Sequence, residues 1–288
     1  MGVELRPMTV ADVPVCAAIS DDAFLAVDRA IHRPGLPEPR RRTAEHTARW
    51  IARTSTTVAT DPGGCVVAEQ DGEVVGFATG YRREQVWCLA TYAVRPALQG
   101  RGIGRRLLDA ALSYAEPCPR WLLSASADPA AVHRYRGAGF TLVPQSSFFG
   151  PVEAVPPAAD DIRPGSADDH AWIDDLDREI RGGSHAPDRA ALEAGGTLVV
   201  CGDRSGYAYV NGGGLALLAA RSDASAERLL THALRNAEPG FALHHVTEAN
   251  PWARDLALGA GMTELPRGYL GVRGMVAPAA YVHHGSLL

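Results

Sequence analysis

The stretch of this chain best suited to chemistry is Gln99-Gly100-Arg101-Gly102-Ile103-Gly104, with Arg105 and Arg106 directly after it. It follows a strand-like run that ends at Val94 and precedes a helical pattern that begins near Gly104. Glycines let a backbone bend sharply and bring its N–H groups close to a ligand. The first turn of a helix adds unpaired donors and a partial positive charge. With Arg101, Arg105 and Arg106 alongside, these features suit a pyrophosphate; the plain alternative is a tight strand-to-helix turn with no ligand. Two other phosphate loops fit poorly. The nucleoside-triphosphate loop needs a lysine, and all 28 of the Lys+Arg residues here are arginine. The dinucleotide fingerprint needs G-x-G-x-x-G spacing, and the third glycine, at 104, comes one residue too early.

Gln99-x-x-Gly102-x-Gly104, preceded by Tyr92-Ala93-Val94-Arg95-Pro96, resembles the acetyl-CoA signature of the GNAT superfamily of N-acetyltransferases. Asp128-PAAVHRYRGAG-Phe140 is similar to that family's later motif, an Asn followed by Tyr-x-x-x-Gly-Phe, with Tyr135 and Gly139-Phe140 in register. The resemblance implies acetyl-CoA as cosubstrate and a small-molecule amine as acceptor, which attacks the thioester directly. It implies that the backbone of Gln99, Gly100, Arg101, Gly102, Ile103, Gly104 and Arg105 binds the pyrophosphate. It also implies that Tyr92, Ala93 and Val94, at the splayed end of their strand, pair with the pantetheine arm, the Tyr92 N–H polarising the acetyl carbonyl. Tyr135 would protonate the departing thiolate; otherwise it is a half-buried helix tyrosine packing its ring.

There are departures from the family pattern. Asp128 stands where the family usually has Asn, and it suits a helix N-cap. Cys88 stands where some members carry a catalytic glutamate, and a thiol of ordinary pKa is a poor proton acceptor. Glu84, just before the strand, is then the candidate base, acting through water, or else a solvated loop acid. His133 lies two residues from Tyr135, on a different helix face, and is expected at the surface. A non-catalytic acyl-CoA-binding sensor or partner module is the alternative function.

The elements that must position these residues follow from pattern. Residues 43–54 predict a helix capped by Thr43. Thr57–Glu69 and Glu73–Tyr81 predict strands joined by an Asp71-Gly72 hairpin turn, and Val86–Val94 a further strand. Gly104–Glu116 predicts a helix with Leu107, Leu108, Ala111 and Leu112 on one face. Arg120–Ala127 predicts a strand, and Pro129–Ala138 a short helix ended by Gly139. Alternation of this kind builds an α/β or α+β domain round a central sheet.

The pattern occurs twice. Residues 94–112 (VRPALQGRGIGRRLLDAAL) align without a gap on 216–234 (ALLAARSDASAERLLTHAL) at an offset of 122, and the same offset carries 128–140 onto 250–262. Leu5-Arg6-Pro7 and Ile162-Arg163-Pro164 open the copies, each followed by an acidic cap: Asp12 in the first, Asp168 or Asp169 in the second. We therefore expect tandem domains over 1–152 and 162–288, with the proline-rich 153–161 as linker. With the resemblance, the fold class is α/β (α+β): two GNAT-like domains, each a mixed, mostly antiparallel sheet flanked by helices.

In the second copy Arg221 replaces Gln99, Asp223 replaces Arg101, and Ala224 and Ala226 replace Gly102 and Gly104. Asp223 sets a carboxylate where phosphate should sit. Ala257 replaces Tyr135, while Asn250 keeps the usual family residue and reads as a helix cap. The second domain is expected to keep the fold without acetyl-CoA binding.

Composition bounds the rest. At 46% hydrophobic and 21% charged residues the 288-residue chain is globular, not disordered. With no run of about 20 apolar residues and no signal peptide, we expect a cytoplasmic protein that does not enter membranes. Five scattered cysteines without a C-x-x-C pair argue against a disulfide framework or structural zinc. His244-His245 and His283-His284 are adjacent pairs that do not suggest a metal site. Residues 1–152 hold 17 Arg against 15 acids, and 153–288 hold 11 against 18, so no domain has the basic excess of a nucleic-acid binder. The acidic second half would suit a cationic acceptor such as an amino sugar, polyamine or amino acid. Ser20–Arg42 is the expected acceptor region, its Arg40-Arg41-Arg42 run reading as solvated surface. Monomer and homodimer are both open.

Overall fold

A computed structural model of the chain describes residues 2–32, 38–157 and 161–288. Residues 33–37 of the expected acceptor region and 158–160 of the expected linker lie outside the described residues. The chain packs as two compact units. One runs to Arg82 and resumes over Trp87–Pro119; the other comprises Arg83–Val86 and Arg120–Leu288.

The first unit contains β1 (Glu4–Pro7), α1 (Val13–Ile31), α2 (Ala44–Thr60), β2 (Cys65–Gln70), β3 (Glu73–Arg83), β4 (Val86–Val94) and α3 (Ile103–Ala115). The strands lie in the order β1-β2-β3-β4, with β1 antiparallel to β2 and β2 to β3. Asp71 (φ 55°) and Gly72 (φ 82°) make the predicted hairpin turn, left-handed at both central positions. Val13, Cys16 and Ala17 of α1 and Trp50 and Val58 of α2 pack on Val67, Phe77 and Ala93 of the sheet.

One expectation fails here. Thr57–Thr60 continue α2, and β2 begins only at Cys65. Their β-branched run reads as strand, but Thr57 and Val58 are buried under the helix. The Thr56, Thr57 and Thr60 hydroxyls donate back to the carbonyls of Ala52, Arg53 and Thr56 at 3.1–3.2 Å. Tertiary burial overrides local preference.

The second unit contains β5 (Arg120–Ala125), α4 (Pro129–Gly137), β6 (Thr141–Phe149), β7 (Ile162–Pro164), α5 (His170–Arg181), α6 (Arg189–Glu193), β8 (Thr197–Cys201), β9 (Gly206–Asn211), β10 (Gly214–Ala220), α7 (Asp223–Arg235), β11 (Leu243–Thr247), α8 (Pro251–Gly259), β12 (Thr263–Arg273) and β13 (Tyr281–Val282). Its strands run β5-β12-β6-β11 and β13-β10-β9-β8-β7. In the first set β12 is antiparallel to both β5 and β6, and β6 to β11. β6 and β12 are repeat equivalents at the offset of 122. The two copies therefore exchange strands: each copy's last long strand pairs with the other's. The boundary of packing, near residue 120, differs from the boundary of the repeat, near 153–161.

The repeat is visible in detail. Arg6 gives two 2.8 Å hydrogen bonds to Asp12, and Arg163 two of 2.9 and 2.7 Å to Asp169. The Thr9 and Ser166 N–H groups donate to the same carboxylates at 2.8 and 3.0 Å. Neither aspartate side chain caps the following long helix, as the sequence had suggested. Each instead fastens a strand to the turn after it, and the paired guanidinium holds each carboxyl well below the usual range.

The two histidine pairs, separate in sequence, meet in this unit. The His245 and His283 rings lie 4.6 Å apart, and His244 and His245 6.0 Å. His283 Nε2 lies 2.9 Å from Gln145 Oε1. Among the described residues no group of His, Cys, Asp or Glu is arranged to hold a metal ion, and no helix is long and apolar enough to cross a membrane. All five cysteines are free and buried.

Burial pushes His244 and His283 down to about 4, and His245 further. The folded state thus favours neutral imidazoles, while the unfolded chain takes up protons as pH falls through about 6.5. Stability from this cluster is present above that pH and is lost progressively towards pH 4. The fully buried His283 alone should account for a fall on the order of 3 kcal/mol. Urea midpoints from pH 7.5 to 4.5 should drop accordingly, and less steeply in His283→Gln; parallel curves would refute this.

Candidate functional site

β4 leads into the glycine-bearing loop, and the loop is braced both to the neighbouring β3 and to the end of β4. Arg95 N donates to Val75 O at 2.9 Å and Arg95 Nε to Val74 O at 3.1 Å. Gln99 Nε2 donates to Val94 O at 3.1 Å, closing the bend on itself. Gly100 (φ 77°) and Gly102 (φ 82°) are left-handed, and the space a Cβ would occupy at either is open. A side chain there would be strained and would also stand over the turn.

Gly102 is the N-cap of α3, and no side chain caps this helix. Its first N–H groups have no intrahelical partner. Gln99, Gly100, Arg101, Gly102 and Arg105 are exposed, whereas Ala93, Val94, Ile103 and Gly104 are buried and Tyr92 half-buried. Arg105 is 82% exposed, with Asp109 only at 3.7 Å. Arg106 is tied down, donating to Val3 O at 2.6 Å. Gly104 serves a different purpose: a Cβ there would collide with the Tyr92 phenol oxygen. The expected loop residues are thus brought together as one exposed, uncapped helix N-terminus with two guanidiniums beside it.

The repeat supplies an internal control. At α7 the N-cap is Ser222, whose Oγ accepts from Ser225 N at 3.2 Å, and Asp223 occupies the first turn. Arg221 pairs with Glu179, and Arg228 with Asp161 and Asp203. This helix start satisfies itself and carries a negative charge, which removes the basis for an anion site.

The second unit places the other candidates. Asp128 caps α4, accepting from Ala131 N at 2.8 Å, as expected. Tyr135 sits in the last turn of α4 and is 5% exposed. Gly139 (φ 83°) reverses the chain so that Phe140 N donates to Tyr135 O at 3.1 Å, and the two rings meet edge-on at 6.2 Å. The Tyr-x-x-x-Gly-Phe spacing is therefore a helix stop that seats the tyrosine. His133 is exposed.

Glu84, left-handed at φ 52°, receives Arg178 Nε at 3.0 Å on each carboxylate oxygen, both side chains being nearly half exposed. Its turn is held by the buried Arg83–Asp188 pair (2.8 and 2.7 Å) and by Gln85 N to Gly182 O at 3.0 Å. Cys88 is fully buried. Asn250 is a correction: its side chain does not cap α8. Fully buried, it bonds Thr247 Oγ1, Pro278 O, Trp252 Nε1 and Tyr281 N at 3.0–3.1 Å, a structural hub.

Residues 28–140 match the acetyltransferase (GNAT) family model. They form a GNAT domain. An L-2,4-diaminobutyric acid acetyltransferase of Nocardia farcinica is 38% identical over 98 residues, which are 29% of this chain and 49% of that protein. The chain thus spans about half the length of this curated relative. A solved structure from Pyrococcus horikoshii superposes with a TM-score of 0.75 at 18% identity, over 100% of this chain and 95% of that one. A tandem GNAT protein from the clavulanic acid biosynthesis pathway gives 0.56 at 14% identity, over 96% and 99%. The fold is that of a tandem GNAT protein in both halves.

Sequence reasoning missed one feature of the GNAT domain. An open groove of about 370 Å³ lies between α1 and Arg95–Ala97, with Arg41 on its rim. Arg40–Arg42 read as a solvated run, but Arg42 is half-buried, its guanidinium 5.9 Å from the Phe24 ring and 5.8 Å from the Trp50 ring. No local pattern in the sequence pointed to this contact.

The Tyr92–Gly104 contact is testable. Gly104→Ala should lower the melting temperature, at a cost of about 1–3 kcal/mol from overpacking. The same change in a Tyr92→Phe background should cost clearly less, because the colliding oxygen is gone. Equal costs in the two backgrounds would contradict this account.

Proposed function

We propose that this protein is an acetyl-CoA-dependent N-acetyltransferase acting on a small-molecule amine. The observation that carries the reading is the contrast between α3 and α7. One helix start is left-handed at glycine, uncapped and exposed; its repeat equivalent is capped by Ser222 and charged by Asp223. The GNAT domain around the first, and a relative named for acetylating a small amine, support the same reaction class. In this proposal the site belongs to residues 1–152, and 162–288 keep the fold without a cosubstrate site.

The backbone of Gln99–Arg105 holds the pyrophosphate, with Arg101 and Arg105 adding charge. The backbone of Tyr92–Val94 pairs with the pantetheine arm, and the Tyr92 N–H faces the acetyl oxygen. The amine nitrogen bonds to the carbonyl carbon as the C–S bond breaks. Tyr135 gives its proton to the leaving thiolate and the amine's proton passes to water; Glu84 precedes β4, about 20 Å of extended strand from Tyr92, and does not receive it directly.

Calorimetric titration of acetyl-CoA should give one site per chain in the wild type and none in Gly102→Asp. Tyr135→Phe should keep the affinity and lose at least tenfold in kcat across an amine panel. Two sites per chain would contradict the reading of the second half. Binding without turnover of any amine would favour an acyl-CoA sensor instead.

A further inference from the structure

We propose that residues 278–283 are a built-in occupant of the second copy's cosubstrate groove. They lie along the strand edge that corresponds to the one taken by the pantetheine arm in the first copy, and the groove admits such an arm when they are withdrawn. This rests on the reading above that the backbone of Tyr92, Ala93 and Val94 pairs with the arm. Two glycines identify which residues correspond. The space a Cβ would need at Gly76 is taken by Ala93 O, Val94 Cγ2 and Leu107 Cδ1. At Gly206 it is taken by Ala219 O, Ala220 Cβ and Leu229 Cδ1. Leu107 and Leu229 are repeat equivalents at the offset of 122. The matching neighbours equate Ala93 with Ala219 and Val94 with Ala220, and so Tyr92 with Leu218. The strand ends are further apart in sequence than 122 because the second turn is shorter: eight residues separate β4 from α3, and two separate β10 from α7.

Residues 278–283 lie on this edge. β13 is antiparallel to β10, with Val282 opposite Leu218 and Tyr281 opposite Ala219. Ala220 N donates to Ala280 O at 3.0 Å. The counterparts of all three arm-pairing residues are therefore engaged by the protein's own backbone. Room for β13 exists because β10 and β11 part. They are bridged in parallel at Gly214 and Ala242, and beyond that point β11 ends one sheet and β13 the other. Ala280 and Val282 pack with Leu218 and Val246 in one core, and Tyr281 with Tyr207 and Leu217 in the other. All three are nearly inaccessible, at 1–4% exposure.

A second set of contacts, independent of the strand pairing, grips the same segment. Asn250, the repeat equivalent of Asp128, gives Nδ2 to Pro278 O at 3.1 Å and takes Tyr281 N on Oδ1 at 3.0 Å. His283 Nε2 lies 2.9 Å from Gln145 Oε1. Ala280 is left-handed at φ 49°, a conformation that costs an alanine energy and persists only where its surroundings impose it. A strand added to an open sheet edge is held by main-chain hydrogen bonds, and a pantetheine arm, an extended chain with two amides, offers the same groups. The second copy thus lacks a cosubstrate site for two separate reasons. Its helix start is capped by Ser222, and its groove is filled.

Hydrogen exchange on the full chain would read backbone protection at residues 92–94 and 218–220, with acetyl-CoA, acetyl-pantetheine or 3′,5′-ADP added. In the wild type, acetyl-CoA should slow exchange at 92–94 and leave 218–220 unchanged. Asn250→Asp removes the donor to Pro278 O, and Ala280→Pro forbids the positive φ. Each should speed exchange at 218–220 about tenfold or more, with protection in β8 and β9 kept as the sign of an intact fold. Acetyl-pantetheine should then slow that exchange again by about threefold, and 3′,5′-ADP should not. Unchanged exchange at 218–220 in both variants would overturn the proposal, because another group would then cover that edge. So would faster exchange that acetyl-pantetheine restores in neither variant while protecting 92–94 in the same sample, or equal protection by 3′,5′-ADP. Those outcomes leave the transferase reading standing. A wild type in which acetyl-CoA does not protect 92–94 would bring down that reading, and this proposal with it.

Discussion

Neither copy of the repeat completes its own sheet, and the architecture depends on how that is resolved. β12, from the second copy, lies between β5 and β6 of the first, and β6 in turn pairs with β11 of the second. An unpaired edge is a row of unsatisfied donors and acceptors and a template for aggregation. Exchanging the strands pairs them through each other. The exchange also gives the second copy a structural role that does not depend on a phosphate site. It holds β5 and β6 in place, and with them α4 and Tyr135, which lie between those strands in the chain.

The two copies isolate what an anion site needs beyond a fold. Both have a strand, a turn and a 13-residue helix at the same place in the repeat. Leu107-Leu108 and Leu229-Leu230 are buried alike. Only the turn differs. Left-handed glycines bend the chain with no side chain over the helix start, so its N–H groups stay available. Serine at the cap and aspartate beside it satisfy the same donors internally. The apolar face decides whether the helix forms and packs; the cap decides whether its end can hold a ligand.

Polar fastenings recur where the chain must turn sharply. Arg6–Asp12 and Arg163–Asp169 repeat at the same spacing and tie each opening strand to the next turn. The buried Arg83–Asp188 pair and the Asn250 bonds to Pro278 and Tyr281 do similar work at contacts distant in sequence. Buried groups of this kind are costly to desolvate and contribute chiefly by fixing one arrangement over others.

Much of the loop site was legible in the sequence because its chemistry is local. The spacing of Gly100, Gly102 and Gly104 after Val94 is a property of consecutive residues, and the backbone conformation follows from glycine's freedom. The Asp128 cap, the Gly139 stop and the Asp71-Gly72 turn were legible for the same reason. The offset of 122 likewise needed no structure. What required the tertiary structure joins residues far apart. Nothing local tells β12 to enter between β5 and β6, or brings His245 against His283. Nor does it turn Asn250 from a cap into a hub, pair Glu84 with Arg178, or draw Arg42 out of a solvated run to lie beside Phe24 and Trp50. Thr57–Thr60 mark the limit most plainly: their β-branched side chains favour a strand, and burial against the sheet made them helix. Short-range sterics and hydrogen bonding set turns and caps, whereas the pairing of edges and the burial of charge are settled only when the whole chain has folded.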